Sequence, residues 1–491
     1  MQLLHLIISI TFAAGFSAAA VAPGVPHVSL SIDRSTSYQT IDGFGFCEAF
    51  QRAHAISNLP LPYQKDVLDL LFGKVHGAGF SILRLGLGSS PDSRLDHMNS
   101  PQPDSEGAFS WDHRDSGQVW VAQQAKRYGV EMFYADAWSA PGYMKTNGRD
   151  DQGGWLCGVS GEGMADGTSC HGVSWVQAYA EYLARYVQAY IQEGIPISFV
   201  GHLNEPNLIK PYATMQSNGY QAADSIFAMA VALGGLGLNS VGISCCEGQG
   251  WSYAKNILAE IQNAGAEGAL SLITTHTYKG TPPGPDGPLN TTLPVWVTEI
   301  SPIMQRLGMT ETWYRNLSEN EGLTHAINLH EAFVTGNVSA YIYWIGVGQN
   351  NMWAPNDANT AMSTNISAPY YTIGSTYWAS AQFSRFVRPG AKRIRVVQSD
   401  MGTGVTANIL ASAYLNKDGS VVVQVINNDD LDTWVDTSPG PLPSQQRCKA
   451  ETWLTDNANK FVLYDEGTTR NGLVVGRLLP RRSLTTFVLK C

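Results

Sequence analysis

Two apolar, strand-forming runs of this sequence each end in a single glutamate, and this pattern constrains the fold more than any other feature. The first run, residues 197–203, leads into the tripeptide NEP, whose glutamate is Glu205. The second run, residues 295–298, ends at Glu299, 94 positions later. Short buried runs separated by helical stretches are typical of parallel strands joined by helices. Because the carboxyl ends of such strands meet on one face of a barrel, we expect both glutamates to face each other across one cleft.

The same alternation of strand and helix extends from residue 39 to residue 387. The eight predicted strands are residues 40–46, 80–85, 130–137, 197–203, 241–245, 272–278, 295–298 and 340–345. Between them lie runs with helical periodicity, such as residues 174–193, in which aromatic residues recur every three to four positions. The pattern predicts an α/β fold, a (β/α)8 TIM barrel.

A second, smaller domain is predicted from both chain ends. Between residues 388 and 491, short β-type runs are separated by turn residues, as in an antiparallel β-sandwich. Residues 28–33 alternate apolar and polar side chains and precede the barrel. We therefore assign residues 23–38 to the sandwich as its N-terminal strand. Since no serine-, threonine- or proline-rich linker separates the domains, we expect them to pack tightly.

Residues 1–22 are predicted to be a secretory signal peptide. Residues 3–16 are apolar, and the small residues at 18–22 offer cleavage sites. No other stretch is long and apolar enough to span a bilayer. Four sequons suit a glycosylated extracellular protein: Asn290, Asn316, Asn337 and Asn365. The predicted localisation is secreted.

Charge and composition narrow the choice of partners. The formal net charge of −10 disfavours nucleic acid and anionic membranes. Only 15% of the residues are charged, while 13 tryptophans and 21 tyrosines offer flat apolar faces that suit sugar rings. We expect a polysaccharide substrate, a monomeric protein and no cofactor.

Seven cysteines in an oxidising compartment allow three disulfides and one free thiol. Two pairs are predicted, Cys157 with Cys170 across a glycine-rich loop, and Cys448 with Cys491 near the chain end. For the adjacent Cys245 and Cys246, either a vicinal disulfide or a bond from one of them to Cys47 is possible. No cysteine or histidine cluster has metal-ligand spacing, so no metal site is expected.

Polar and aromatic residues at the predicted strand ends are the candidates for a functional site. They are Arg84, Trp138, Asn204, Glu205, His276, Tyr278, Glu299 and Trp344. Cleaving a glycosidic bond requires one carboxylic acid to protonate the leaving oxygen and one carboxylate to attack the sugar or activate water. A carboxyl separation of roughly 5–5.5 Å gives retention of configuration and roughly 6.5–9.5 Å gives inversion. The sequence leaves that distance open.

Each candidate has an expected role beside the two glutamates. Arg84 would keep Glu299 ionised as the nucleophile, and the charge of Glu299 would raise the pKa of the acid, Glu205. Tyr278 would hydrogen-bond Glu299. Contacts to sugar are expected from Asn204, through a 2-hydroxyl group, from His276, and from the rings of Trp138 and Trp344.

These residues lie within motifs that resemble those of glycoside hydrolase family 30, a retaining (β/α)8 family. The motifs are residues 39–45 (QTIDGFG), 83–85 (LRL), 138–148 (WSAPGYMKTNG), 204–206 (NEP), 276–278 (HTY) and 298–299 (TE). Together they are specific, although each alone is weak. The resemblance implies a barrel with a side β-sandwich, Glu205 as acid/base and Glu299 as nucleophile.

Within that family the sequence is most similar to the fungal xylanase branch, subfamily 7, whose members act on glucuronoxylan or release xylobiose. Arg52 would bind the carboxylate of a glucuronic acid branch. Asn99 would add a hydrogen bond or block one end of the cleft. Residues 346–351 lack the arginine and tyrosine by which bacterial glucuronoxylanases of the family hold that branch. The resemblance therefore implies cleavage of β-1,4-xylosidic bonds, in endo or exo mode.

Two other functions stay open. One is an endo-β-1,6-glucanase of the same family. The other, from a different class, is a non-catalytic polysaccharide-binding barrel, against which the presence of both glutamates and Arg84 argues.

Overall fold

The computed structural model describes residues 24–92, 97–161, 170–279, 287–302, 308–349, 360–365, 368, 370–402, 407–438, 440, 447–470 and 475–490. The predicted signal peptide lies outside these ranges. The chain first forms a long strand, β1 (His27–Thr40), and then enters a closed barrel of eight parallel strands.

The barrel strands are buried and follow one another in chain order around the ring. They are β2 (Gly43–Cys47), β3 (Ile82–Leu87), β4 (Met132–Ala137), β5 (Ile197–Gly201), β6 (Gly242–Gly250), β7 (Leu272–Lys279), β8 (Val295–Glu299) and β9 (Ala340–Tyr343). β2 pairs with both β3 and β9 and so closes the ring. Strands covered on both faces are mostly apolar, as in β3, where all six residues are buried and Arg84 is the single charged one. The predicted (β/α)8 barrel is confirmed.

Helices cover the outside of this ring. They are α1 (Ala53–Ser57), α2 (Leu61–Phe72), α3 (Gln118–Arg127), α4 (Val176–Gln192), α5 (Gly219–Gly235), α6 (Trp251–Asn263), α7 (Gly322–Val334) and α8 (Ser375–Phe386). Between β7 and β8, the part of the chain that the structure describes forms no helix. The four tyrosines of α4 are buried, so their helical spacing reflects core packing.

A small sheet extends the barrel beyond β9. Its strands are β10 (Val347–Gln349), β11 (Met362–Thr364) and β12 (Tyr371–Ile373). It lies in the loop region after the last barrel strand, and the backbone N–H of Val347 donates to the buried carboxylate of Glu48 beyond β2 (2.7 Å). This contact ties the last barrel loop to the first.

Both chain ends form a separate nine-stranded sheet, as predicted. Besides β1 it contains β13 (Lys392–Asp400), β14 (Ile409–Leu415), β15 (Val421–Asn427), β16 (Thr433–Ser438), β17 (Arg447–Thr455), β18 (Val462–Arg470), β19 (Val475–Leu479) and β20 (Ser483–Lys490). β1 lies between β13, to which it is antiparallel, and β16, to which it is parallel. The sheet is therefore not purely antiparallel, because β1 is far from β16 in the chain and no hairpin sets its direction.

The cysteine predictions have different outcomes. Cys157 and Cys170 are joined, with Cα atoms 5.6 Å apart, as expected. Cys245 and Cys246 are bonded to each other, and Cys47 is a buried free thiol, so the alternative bond to Cys47 is wrong. Cys448 is disulfide-bonded, and its predicted partner Cys491 lies outside the described residues.

The asparagines of the four predicted glycosylation sites differ in their exposure. Three of the four sequon asparagines are exposed, namely Asn290, Asn316 and Asn337, while Asn365 is half-buried. Glycosylation of these sites stays a prediction. Among the residues that the structure covers, no helix has the length and apolar character needed to cross a bilayer.

Candidate active site

Arg84 on β3 is the hub of the candidate site. Its buried guanidinium pairs with three carboxylates, those of Asp136 on β4 (Nη2 to Oδ2, 2.8 Å), Glu247 on β6 (Nη2 to Oε2, 2.7 Å) and Glu299. It also donates to Asn204 Oδ1 (2.6 Å). Burial lowers the pKa of Arg84, but the surrounding negative charges outweigh burial and raise it well above its usual value. Arg84 is thus a permanent cation at the centre of the barrel mouth.

The two predicted catalytic glutamates lie beside this cation and face each other. Glu205 follows β5 and Glu299 ends β8, and each is only 5% exposed. A carboxylate oxygen of each, together with a ring nitrogen of His276, lie within 4.8 Å of one another. Carboxyl oxygens no more than 4.8 Å apart fit the short separation of retaining glycosidases, roughly 5–5.5 Å between carboxyl groups, better than the roughly 6.5–9.5 Å of inverting ones. The arrangement suits direct attack by one carboxylate.

The surroundings of Glu205 suit a proton donor. Its backbone has a left-handed φ of 44°, which is unusual for glutamate and occurs at functional sites. Its backbone N–H donates to the carbonyl oxygen of Glu247 (3.1 Å). Burial, assisted by the charge of Glu299, raises the pKa of Glu205 against the opposing effect of His276. A raised pKa lets a carboxyl group keep its proton to higher pH, which suits general acid catalysis.

The surroundings of Glu299 suit a nucleophile. Its Oε2 accepts from Arg84, and its Oε1 accepts from Tyr278 Oη (2.9 Å). Both partners donate to the carboxylate, so they fix the positions of its two oxygens. The predicted hydrogen bond from Tyr278 is present.

His276 on β7 connects the acid to a third glutamate. Its Nδ1 is 3.1 Å from Glu205 Oε1 and its Nε2 is 2.7 Å from Glu247 Oε2. Burial lowers the pKa of His276, but the charge of Glu299 and the hydrogen bonds to Glu205 and Glu247 outweigh burial and raise it to about 10. An imidazolium has no lone pair for a metal ion. The closely spaced oxygens and nitrogen at this point therefore suit proton handling rather than metal binding.

Aromatic rings form the floor beside the carboxylates. Trp138 is 2% exposed, and its ring lies 4.7 Å from the Arg84 guanidinium carbon. The rings of Phe50 and Trp344 pack against it, with centroids 5.0 and 5.7 Å away. Trp344 is half-buried. Trp138 therefore mainly supports the floor, while Trp344 keeps part of its ring accessible.

Comparison with known proteins agrees with this geometry. The barrel, residues 41–385, matches the model of glycosyl hydrolase family 59, and residues 390–487 match that of the glycosyl hydrolase family 30 beta sandwich domain. The chain is 37% identical to the catalytic domain of a family 30 xylanase C from Talaromyces cellulolyticus, with a TM-score of 0.80. The match covers 94% of this chain and 100% of the other, so it spans both domains. It therefore favours family 30 over family 59 for the whole chain. The chain belongs to glycoside hydrolase family 30.

Other relatives in family 30 have different substrates. An endo-1,6-β-D-glucanase of Trichoderma harzianum is 25% identical over 85% of this chain and 84% of its own length. A glucuronoxylanase of Bacillus subtilis is 25% identical over 64% of this chain and 66% of its own length. Family 30 membership therefore establishes a glycoside hydrolase without establishing the linkage that it cleaves.

Two predicted substrate-binding residues lie apart from the carboxylate cluster of this family 30 enzyme. Arg52 is 3% exposed and donates from Nη1 to the backbone oxygen of Phe50 (2.9 Å). Asn99 is exposed and lines a groove of about 330 Å³ together with Trp111 and Tyr186. The carboxylates of Glu205 and Glu299 are bound by Arg84, His276 and Tyr278. Their roles in substrate selection stay predictions.

Glu247 and Asp136 belong to the site but were not among the residues predicted from the sequence. Glu247 lies two positions beyond the predicted end of its strand at residue 245, whereas β6 extends to Gly250. An acidic residue just past a barrel strand was the available signal. Asp136 lies inside the apolar run of β4 and is fully buried. A buried carboxylate requires a partner, and Arg84 is that partner.

Proposed function

We propose that this family 30 hydrolase is a secreted, retaining β-1,4-xylanase acting on xylan, with Glu205 as acid/base and Glu299 as nucleophile. The observation that carries the mechanism is the approach of the two carboxylates within 4.8 Å. The xylan assignment is supported by 37% identity to a xylanase over both domains, against 25% to the Trichoderma glucanase.

The first half-reaction forms a covalent sugar–enzyme ester. An oxygen of Glu299 bonds to the anomeric carbon as the bond from that carbon to the leaving oxygen breaks. The leaving oxygen takes the proton of Glu205 and departs as a hydroxyl group. Arg84 and Tyr278 hold the attacking carboxylate in place, since each donates to one of its oxygens.

The second half-reaction returns the enzyme to its starting state. Once Glu299 is esterified, its negative charge is gone, and the pKa of Glu205 falls because that charge helped to raise it. Glu205 can then accept a proton from water as the water oxygen attacks the anomeric carbon. Glu299 leaves as a carboxylate, and the sugar keeps its original configuration.

Asn204 is placed to bind the sugar undergoing cleavage. Its Oδ1 is occupied by Arg84 (2.6 Å), which orients the side-chain amide so that Nδ2 is the group available as a donor. Its backbone N–H donates to the carbonyl oxygen of Ala137 (2.7 Å), which fixes it at the mouth of the barrel. A hydroxyl group on the ring bound at Glu205 is the expected acceptor.

A β-1,6-glucanase is the second candidate. It is favoured by two relatives of this chain that are named endo-1,6-β-D-glucanases, one from Trichoderma harzianum and one from Aspergillus fumigatus. The two candidates share the carboxylate chemistry and differ only in the sugar and linkage that the cleft accepts. Direct assay on both polymers separates them.

The test measures reducing ends released from glucuronoxylan, unbranched xylan and β-1,6-glucan. We expect xylo-oligosaccharides from both xylans, with the β-anomer formed first in a proton NMR time course, and no turnover by Glu299→Gln. Cleavage of β-1,6-glucan alone would replace the xylanase proposal with the second candidate. Binding of xylan without release of reducing ends would mean a non-catalytic barrel.

The same assay examines the predicted branch reader. Loss of branched products by Arg52→Ala on glucuronoxylan, with activity on unbranched xylan retained, is the result expected if Arg52 binds the branch carboxylate. Xylobiose as the main product from both polymers, unchanged by the substitution, would indicate exo cleavage and no such role.

A further inference from the structure

Glu247 contacts the acid/base glutamate through two independent routes. Its backbone oxygen accepts from the N–H of Glu205 (3.1 Å), and its side chain binds His276, which in turn binds the Glu205 carboxyl group. Both glutamates have left-handed backbone conformations, with φ of 44° for Glu205 and 53° for Glu247. Two strained backbones that hydrogen-bond to each other indicate that this contact is held by the surrounding fold.

The side chain of Glu247 is itself fully anchored. Its Oε1 accepts from Tyr134 Oη (2.6 Å), and its Oε2 accepts from Arg84 Nη2 (2.7 Å) as well as from His276. Burial raises the pKa of Glu247, but the charge of Arg84 and the hydrogen bond from His276 outweigh burial and lower it to about 2. With 1% exposure it is a buried, permanent anion.

We propose that Glu247 is a positioning residue that keeps His276 doubly protonated, so that His276 presents a fixed N–H donor to Glu205 throughout the catalytic cycle. Nε2 of His276 faces the Glu247 anion and therefore donates to it, while Nδ1 faces Oε1 of Glu205. A neutral histidine would present the lone pair of Nδ1 to Glu205 and could take the proton that Glu205 transfers to the leaving oxygen. Glu247 opposes this, because its negative charge favours the doubly protonated ring.

Other charged or titratable groups of the site face the same ring. They are Glu205 beyond β5, Glu247 on β6, Glu299 on β8, Asp136 on β4 and Tyr278 on the same strand as His276. Arg84 on β3 pairs with Glu247 and Glu299, two of these groups. Glu299 loses its charge when it is esterified, so it cannot hold the histidine proton through both half-reactions. Glu247 keeps its charge in both, because it does not react.

The inference rests on the proposed acid/base role of Glu205, and it is tested first without substrate. Nitrogen-15 NMR of labelled histidine follows the two ring nitrogens of His276 between pH 5 and pH 9, assigned by the signal lost in His276→Gln. In the wild type both nitrogens are expected to stay protonated over the whole range. In Glu247→Gln, which preserves the shape but removes the charge, His276 is expected to titrate within it.

Kinetics provide the second readout. At pH 8, where the variant histidine has lost its proton, kcat/KM of Glu247→Gln is expected to fall about 10- to 100-fold, part of the roughly 10²–10⁴-fold that acid–base catalysis contributes. The defect should shrink toward pH 5, where the proton returns, and KM should change far less than kcat. Glu247→Asp, which retains the charge, should recover part of the activity.

Glu193→Gln is the matched control. Glu193 also pairs with a histidine, the exposed His113 (2.7 Å), and neither residue belongs to the carboxylate cluster. Glu193→Gln should therefore leave the pH profile of kcat/KM unchanged. A wild-type His276 that titrates below pH 9, or a Glu247→Gln protein whose His276 stays doubly protonated, would overturn the proposal. Either result would leave the xylanase proposal standing, and a failure to cleave xylan would leave the NMR test unaffected.

Discussion

At the scale of single residues, the site balances its buried charges. Arg84 and the imidazolium of His276 are cations, the Glu247 carboxylate is an anion, and the Glu299 carboxylate accepts a hydrogen bond from Arg84. Burial, together with the charge of Glu247, raises the pKa of Asp136 to about 8, while its pairing with Arg84 opposes this rise. Pairing buried cations with acidic groups avoids the large cost of an unpaired buried ion. Burial also raises the pKa of Glu205 and so favours the proton that the proposed mechanism transfers.

The acid role of Glu205 predicts a dependence on the leaving group. Glu205→Gln should lower kcat/KM about 10²–10⁴-fold on xylo-oligosaccharides, whose leaving oxygen requires a proton. On an aryl xyloside with a nitrophenolate leaving group, bond cleavage requires no proton and the first half-reaction should be nearly unaffected. Stopped-flow release of nitrophenolate measures this step. An equal loss on both substrates would assign Glu205 a different role.

Gly201 at the end of β5 is required by the polar cluster beside it. A methyl group at this position would come within 2.7 Å of Tyr134 Oη and closer still to Asp136 Oδ1. Because both neighbours are buried, Gly201→Ala should destabilise the protein by about 1–3 kcal/mol.

Gly235→Ala is the control for that substitution. Gly235 is the last residue of α5 and has open space around it. The added methyl group should be neutral or stabilise the protein by up to about 1 kcal/mol, because alanine loses less backbone entropy. Urea denaturation of both variants measures the difference, and equal midpoints would mean that the site tolerates a side chain at Gly201.

At the scale of elements, the sequence predicts strands better than it predicts their ends. All eight barrel strands lie where buried runs were predicted, because a strand covered on both faces is mostly apolar. β6 extends past its predicted end, since its ladder to β7 is irregular near Gly248 and a glycine-rich run gives no periodic signal. Glu247 was overlooked for this reason.

The contacts between elements were only partly predictable. The residue types at strand ends indicated Arg84, Glu205 and Glu299, because catalysis requires such groups at one barrel mouth. Asp136 gave no signal, since its partner Arg84 is 52 positions away and lies on another strand. The position of Arg52 depends on its backbone turn and on a contact with Phe50, neither of which a residue type specifies.

Asp115 joins two elements and predicts a pH effect on stability. It lies in the 3₁₀ turn before α3 and accepts from Tyr186 Oη (3.0 Å), from Tyr190 Oη on α4, and from Gln118 Nε2 (2.9 Å). Burial raises its pKa from 3.8 to about 7. A raised folded-state pKa means that the folded protein binds the proton more tightly than the unfolded chain does. Protonation of Asp115 therefore stabilises the fold fully below pH 4, and this contribution is lost as pH rises through 7.

Asp115→Asn should remove that dependence. Relative to the variant, the wild type should lose stability between pH 4 and pH 7, by on the order of 4 kcal/mol at most. Calorimetric Tm values of both proteins at several pH values in this window measure the effect. A difference in Tm that does not vary with pH would show that the Asp115 carboxyl is ionised throughout.

At the scale of the whole molecule, the barrel and the side sheet share a buried polar contact. Gln382 on α8 donates to the backbone oxygens of Trp453 (3.2 Å) and Leu484 (3.1 Å) and accepts from Thr455 Oγ1. Nearby, the guanidinium carbon of Arg385 lies 3.8 Å from the ring centroid of Phe461. Gln382 is completely buried, so water cannot replace the hydrogen bonds that it makes.

We expect this contact to make the two domains unfold as one cooperative unit. Gln382→Ala leaves several buried groups of the side sheet without partners, at about 1–3 kcal/mol each. Calorimetry should show one transition for the wild type, and for the variant a lower Tm with the side sheet unfolding first. Gln177 is the control, because its exposed side chain on α4 donates to Glu181 (3.2 Å), and Gln177→Ala should match the wild type. If both variants melt in one unshifted transition, the domains are held together by apolar packing, and the tie between the active-site barrel and the chain ends does not depend on Gln382.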